Sequence, residues 1–148
     1  MKNLILLLAM ALFHQTSYAI DANKLLDDYL VIKNALVNSN NEESKKAIDV
    51  FLSDLKKEAE FKEKKSLIKA VEKLSKSADL EKKRTNFKEV STLMWQLVKN
   101  NDSVKGPLYY QYCPMKKAYW ISREKEIKNP YYGSSMLNCG KVVETKKL

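Results

Sequence analysis

The stretch that decides the fold is residues 21–38, DANKLLDDYLVIKNALVN. Its apolar side chains recur at helical spacing between Asn, Asp and Lys positions: Leu25, Leu26, Tyr29, Leu30, Ile32, Ala35 and Leu36. Because side chains three and four residues apart share one face of an α-helix, the pattern predicts an amphipathic helix from Asp21 to about Asn38.

The same periodicity continues downstream between short polar breaks. Residues 39–41 (SNN) end the first helix and supply capping side chains for a second, which is predicted to run to about Glu60. A third apolar stripe follows in residues 67–74. Few helix-breaking residues separate it from the second, so whether the second and third helices are separate stays open. Residues 75–79 form the next break, and apolar residues from Leu80 to Val98 mark a fourth helix that is predicted to end at residues 100–102 (NND).

Glycine and proline divide the chain at Lys105. Between Ile20 and Lys105 there is neither, and the polar helix faces are rich in Lys and Glu. This pattern favours an all-α fold, an antiparallel helical bundle of about four helices. All three Gly, all three Pro, both Cys and six of the eight Tyr follow Lys105. We therefore expect an irregular C-terminal segment (residues 105–148) packed on the bundle by its aromatic rings, with Val142-Val143 as a short strand or a trailing end.

The first nineteen residues have the pattern of a secretory signal peptide. Lys2 precedes an apolar run from Leu4 to Phe13, and residues 17–19 (SYA) fit a small-x-small cleavage site. The run is about ten residues long, well short of the roughly 20 that cross a bilayer. The pattern predicts a signal peptide at residues 1–19, cleavage after Ala19, and a periplasmic or secreted protein with no stable membrane span.

Residues 20–148 are predicted to form one domain, with helices in residues 20–104 and the C-terminal segment in residues 105–148. The whole chain has a net charge of +9, and from Lys105 onward nine Lys/Arg stand against three Glu. This excess fits either solubility or an acidic partner or anionic lipid surface, and both interpretations stay open. No recognition motif for nucleic acid is present, so nucleic acid is not an expected partner.

Residue types that usually carry catalysis are scarce. The one histidine, His14, falls inside the predicted signal peptide, which removes Ser-His and Cys-His nucleophiles and His-containing zinc sites from residues 20–148. Paired carboxylates such as Asp27-Asp28 stand in Lys-rich helical contexts that are typical of solvated faces. We expect no enzymatic activity and assign no catalytic residue.

The C-terminal segment contains four sulfur-containing residues in two pairs that are close in sequence: Cys113 with Met115, and Met136 with Cys139. Pro114 favours an extended backbone at Cys113, and in an extended chain residues two apart point to the same side. Residues 136 and 139 meet if they lie on a helical turn. Two thiolates and two thioethers are soft ligands that select Cu(I) or Ag(I), which predicts a metal site at these four positions.

A disulfide is the alternative use of the same cysteines. In an oxidising compartment Cys113 and Cys139 would close a loop worth about 3 kcal/mol, with Met115 and Met136 filling gaps in the core. The protein would then be a disulfide-bonded interaction domain of the envelope with no metal. The aromatic residues that would line its partner surface are Tyr131, Tyr132 and Trp120. For Trp120 by itself the favoured role is a buried anchor, and stacking over a bound cation is the alternative.

Four short motifs follow one another in the C-terminal segment: YCPM (112–115), WIS (120–122), IKNPYYG (127–133) and MLNCG (136–140). Their order resembles a family of exported bacterial helical domains of unknown function, found alone, beside heavy-metal-associated domains, or at the end of copper/silver efflux adaptor proteins. The resemblance implies a helical bundle capped by this segment and a metal-efflux or other envelope protein as partner. It also implies a metal-handling role for Cys113, Met115, Met136 and Cys139.

Overall fold

A computed structural model describes residues 19–147, so the predicted signal peptide lies outside the described residues except for Ala19. The four predicted helices are confirmed as α1 (Ala22–Val37), α2 (Asn41–Lys57), α3 (Lys64–Ser75) and α4 (Leu80–Val98). The second and third helices are separate. Within residues 19–147, no helix has both the length and the apolar character needed to cross a membrane.

Side-chain caps define where the helices begin. Three helices start at a residue whose side chain accepts a hydrogen bond from the backbone N–H three positions on: Asp21 for α1 (2.9 Å), Asn40 for α2 (3.0 Å) and Asp79 for α4 (2.8 Å). In the described structure α3 begins after Glu63 without such a bond. Because capping residues are the clearest start signal in a sequence, the missing cap explains why this boundary was hard to predict.

The prediction of an all-α fold is wrong, because residues 108–146 contain a sheet. Strands β1 (Leu108–Cys113), β2 (Ala118–Ser122) and β3 (Lys141–Lys146) form an antiparallel sheet in the order β2-β1-β3. The first two strands read LYYQYC and AYWIS, rich in the aromatic side chains that favour a pleated, half-buried surface. The fold is therefore a four-helix layer joined to a small sheet, and residues 142–143 lie in a strand.

The sheet and the helices share one hydrophobic core. The Tyr29 hydroxyl on α1 is hydrogen-bonded to Ser91 of α4 at 2.8 Å and accepts a bond from the backbone N–H of Ile121 at 3.1 Å. The rings of Trp95 on α4 and Tyr110 on β1 stack with their centroids 4.6 Å apart. These contacts fix the sheet against α1 and α4, so the C-terminal segment is part of the domain core.

One face of the sheet is covered by the connection between β2 and β3. Gln111 on β1 is fully buried, and its side-chain amide donates to three successive backbone carbonyls in residues 124–126, at 3.0–3.2 Å. Cys113, Gln111, Ala118 and Trp120 lie on this face, since paired and alternate residues of antiparallel strands point the same way. The covered face is where the two cysteines meet. The connection includes the 3-10 helix η1 (Gly133–Met136).

Candidate metal centre

Cys113 is held by the β1–β2 hairpin. It is the last residue of β1, it pairs with Ala118 of β2, and it is fully buried. The hairpin turns through residues 114–117, where the backbone N–H of Lys117 donates to the carbonyl of Pro114 at 3.3 Å. The Cys113 thiol therefore sits on a regular strand, which fixes its position more firmly than a loop would.

Cys139 is positioned by Asn129, which is fully buried. The Asn129 side-chain amide donates to the carbonyl of Cys139 at 2.6 Å, and its oxygen accepts from the backbone N–H of Tyr131 at 2.8 Å. The backbone N–H of Asn129 donates to the carbonyl of Leu137 at 2.8 Å. Asn129 acts through these hydrogen bonds, which fold the connection back on itself.

Gly140 allows the chain to pass directly over the sheet. A Cβ atom at this position would lie 2.7 Å from Cη2 of Trp120, closer than real side chains approach, and 3.0 Å from the carbonyl oxygen of Tyr112. The missing side chain lets the preceding residue reach the end of β1. The close approach at Gly140 therefore brings Cys139 over Cys113.

The two thiols meet with their Sγ atoms 3.9 Å apart, and both cysteines are free. Cys113 is fully buried and Cys139 is half-buried. Burial raises the pKa of the Cys139 thiol, and its hydrogen bond and electrostatic interaction with Cys113 raise the pKa further. Cys139 therefore keeps its proton at neutral pH until a metal ion or an oxidant displaces it.

The two methionines lie differently from the cysteines. Met115 is in the hairpin turn and 61% exposed, because β1 ends at Cys113 and the extended geometry expected for Cys113 and Met115 stops there. Met136 is the last residue of η1 and is 37% exposed. Its carbonyl accepts a hydrogen bond from the backbone N–H of Cys139 at 3.1 Å, so Met136 and Cys139 lie on one turn. Within the described chain no three His, Cys, Asp or Glu side chains group to hold a metal ion. A metal ion here would be bound by the two thiols, with the methionines as candidate further donors.

Two of the three aromatic candidates for a partner surface are inside the fold. Trp120 and Tyr131 are fully buried, and their rings meet edge to face with centroids 6.0 Å apart. The Tyr131 hydroxyl donates to the carbonyl of Tyr119, and burial raises the pKa of Tyr131 well above its ordinary value. Tyr132 is half-buried, with the ammonium of Lys116 4.8 Å from its ring centroid. Of the three, Tyr132 alone offers a ring at the surface.

Arg84 is a structural residue of the site that sequence reasoning did not assign. It is buried in α4, and its guanidinium donates to the carbonyl of Pro130 at 3.0 Å, to the carbonyl of Leu36 at 3.1 Å and to Ser39 Oγ at 2.9 Å. It thereby ties the C-terminal segment to the end of α1. A signal was available, because Arg84 is one of two arginines among 27 basic residues, and guanidinium suits buried multi-donor positions.

Comparison with known proteins identifies the family through the helices. The family model described as Protein of unknown function (DUF3347) matches residues 25–106, more than half of the chain. The chain belongs to the DUF3347 family. No curated protein and no solved structure matches it.

The DUF3347 match covers all of α2 to α4 and most of α1, and it ends before β1. The cysteine pair and both methionines of the C-terminal segment lie beyond the matched residues. The family assignment therefore identifies the helical layer, and the chemistry of the sulfur atoms has to be argued from this chain's own geometry.

Proposed function

We propose that this protein is an exported soft-metal-binding protein that holds Cu(I) or Ag(I) and buffers the ion or delivers it within the envelope. The observation that carries the proposal is the 3.9 Å separation of the Cys113 and Cys139 Sγ atoms. The pattern of a signal peptide in residues 1–19 supports the location. The motif order in residues 112–140 supports a partner in metal efflux or elsewhere in the envelope.

The sulfur separation suits one shared ion. Metal–thiolate bonds are about 2.3 Å long, so two thiolates on one ion at trigonal or tetrahedral angles lie about 3.8 to 4.0 Å apart. The thiols are already at this distance, 3.9 Å. A disulfide requires the two sulfur atoms to close to about 2 Å, which is a larger movement for the buried strand residue.

The donor set favours a soft monovalent ion. Two cysteines without histidine fall short of the four ligands of a structural zinc site, whereas thiolate and thioether sulfur select Cu(I) and similar ions. Met136 shares a turn with Cys139 and is a candidate for a third donor. Met115 stands exposed beside Cys113 at the hairpin and is the candidate donor for ion exchange with a partner.

Removing the thioethers tests the proposal. We expect the double variant Met115→Leu/Met136→Leu to bind Cu(I) about tenfold or more weakly than the wild type, because it lacks soft donors and keeps similar side-chain volume. The measurement is a Cu(I) titration of reduced protein against a competing chelator. Met94→Leu makes the same change in α4 and should leave the affinity unaltered. Unchanged affinity in the double variant would remove the methionines from the site.

The pH dependence of binding gives a second prediction. Burial raises the pKa of Cys139, so Cu(I) must displace its proton at neutral pH. The apparent affinity should therefore rise with pH, by about tenfold per pH unit for each thiol proton displaced, until the raised pKa is passed. Competition titrations between about pH 6 and 8, corrected for the titration of the chelator, measure this slope. An affinity that stays constant over that range contradicts proton displacement at the cysteine pair.

The alternative function is a disulfide-bonded interaction domain of the envelope, and the full burial of Cys113 favours it. Buried cysteines in apolar surroundings are commonly structural. A Cys113–Cys139 bond would join β1 to the connection that Asn129 folds, and reduction would then lower stability by about 3 kcal/mol. A reduced protein that remains equally stable and takes up Cu(I) would exclude this alternative.

A further inference from the structure

Two buried polar side-chain atoms have no hydrogen-bond partner within residues 19–147, and both belong to the covered face of the sheet. They are Oε1 of Gln111 on β1 and Nε1 of Trp120 on β2. Both residues are fully buried. Burying a polar group without a partner is costly, and the large majority of buried polar side-chain atoms in native proteins are hydrogen-bonded. Each of these two atoms therefore requires a partner that the protein itself does not provide.

The two residues are direct neighbours in the sheet. Gln111 and Trp120 are paired with each other in the β1–β2 ladder. Residues paired in an antiparallel ladder point to the same face of the sheet, and their Cβ atoms lie about 5 Å apart. The unpartnered oxygen and the unpartnered nitrogen are thus carried by adjacent side chains beneath the same covering connection.

The two atoms have complementary chemistry. The indole N–H of Trp120 can only donate a hydrogen bond, and the Gln111 amide oxygen can only accept one. In the described structure they are not bonded to each other. A group that serves both must accept from the indole and donate to the amide oxygen. Water does both, and it is the smallest molecule that can.

The orientation of the Gln111 amide is fixed by its other end. Its Nε2 atom donates to the carbonyls of residues 124, 125 and 126 at 3.0–3.2 Å. Turning the amide over would set Oε1 against three carbonyl oxygens, all of which are acceptors. The unpartnered oxygen therefore cannot be removed by exchanging the two ends of the amide.

The other tryptophan shows how this fold satisfies an indole N–H with its own atoms. Trp95 on α4 is 4% exposed, and its Nε1 atom donates to the Glu144 carboxylate at 3.0 Å. Trp120 is more deeply buried and has no such acceptor among the residues that the structure describes. The contrast makes Trp95 an internal reference for any measurement on Trp120.

We propose that Gln111 and Trp120 bind one buried water molecule, which accepts from the indole N–H and donates to Gln111 Oε1. Buried waters of this kind bond otherwise unpaired polar groups and are part of the folded structure. With both ends of its amide engaged, Gln111 links β1 to β2 through the water and to the connection through residues 124–126. The site does not depend on the proposed metal function, and its test needs no metal.

The direct test is a crystal structure of the reduced, metal-free protein at a resolution that shows ordered water. We expect a water oxygen within hydrogen-bond distance, about 2.7–3.2 Å, of both Gln111 Oε1 and Trp120 Nε1. A direct bond between these two atoms, a protein acceptor on the indole N–H, or no ordered water between them would overturn the proposal.

A solution measurement uses the two indole N–H groups of the same full chain. We expect the Trp120 indole proton to give a nuclear Overhauser effect to water with the sign of a molecule that tumbles with the protein. The Trp95 indole proton, which is bonded to Glu144, should give none of that sign. Equal behaviour of the two indole protons would overturn the proposal.

A variant assigns the water to the indole. Trp120→Phe removes the N–H donor, so the water should be lost or displaced from its position in the crystal. Trp95→Phe makes the same change on α4 and should leave the water in place. Because the wild-type structure is a separate measurement, the proposal is tested even if Trp120→Phe folds poorly. Water retained at the same position in Trp120→Phe would overturn it.

Discussion

Replacing Cys113 by Ser is expected to lower the Cu(I) affinity of the reduced protein by about a hundredfold or more. The serine hydroxyl is nearly the same size, but it is a hard, neutral donor in place of a soft thiolate, and it leaves one thiolate where two shared the ion. Loss of a partner that only orients a ligand already costs about 10- to 100-fold in affinity, and loss of a direct ligand costs more. The measurement is competition titration with a Cu(I) chelator under anaerobic conditions.

Cys139→Ser is the companion variant, because Cys139 is half-buried and its replacement disturbs the core less than replacement of the fully buried Cys113. Both variants should lose affinity to a similar extent if the two sulfur atoms share one ion. Thermal unfolding of each variant shows whether the fold is retained at the titration temperature. Wild-type affinity in either folded variant would mean that the ion binds elsewhere.

Replacing Arg84 by Met is expected to lower the free energy of unfolding by about 3 kcal/mol. The buried guanidinium donates to the carbonyls of Pro130 and Leu36 and to Ser39 Oγ, and methionine satisfies none of them. The loss leaves the buried carbonyl of Pro130 without its guanidinium donor and separates the C-terminal segment from α1. Denaturant unfolding monitored by circular dichroism measures the change.

Lys82→Met is the matched control on the same helix. Lys82 is exposed, and its ion pair with Asp79 is long at 3.7 Å. Its replacement should alter the free energy of unfolding by less than about 0.5 kcal/mol. A loss below about 1 kcal/mol in Arg84→Met would show that the guanidinium does not hold the C-terminal segment to the helices.

The helical layer was predictable because the signals for each helix lie within that helix's own stretch of sequence. Apolar residues repeat every three to four positions in residues 21–98, and three of the four helices begin at a capping side chain. Each helix could therefore be recognised from its own sequence. The sheet could not, since β1 pairs with β3 about 35 residues away, and strands of five or six residues in a Gly- and Pro-containing segment resemble turns.

The pairing of the two cysteines was predictable from the sequence, whereas the positions of the surrounding residues were not. The spacing of Cys113 and Cys139 indicated a pair for either a metal or a disulfide, and the structure places the two thiols 3.9 Å apart. The exposure of Met115 depends on where β1 ends, which the motif does not reveal. Asn129 and Arg84 act through hydrogen bonds to backbone groups 10 and 46 residues away, and such long-range contacts leave no periodic pattern.

The central claim is that the cysteine pair forms one soft-metal site. The most direct measurement is to purify the protein lacking residues 1–19 without oxygen, count its free thiols, and titrate it with Cu(I) against a competing chelator. We expect two free thiols and tight binding of one ion per chain, abolished when Cys113 and Cys139 are both replaced by Ser. Reduced protein with two free thiols that fails to compete for Cu(I) would contradict it.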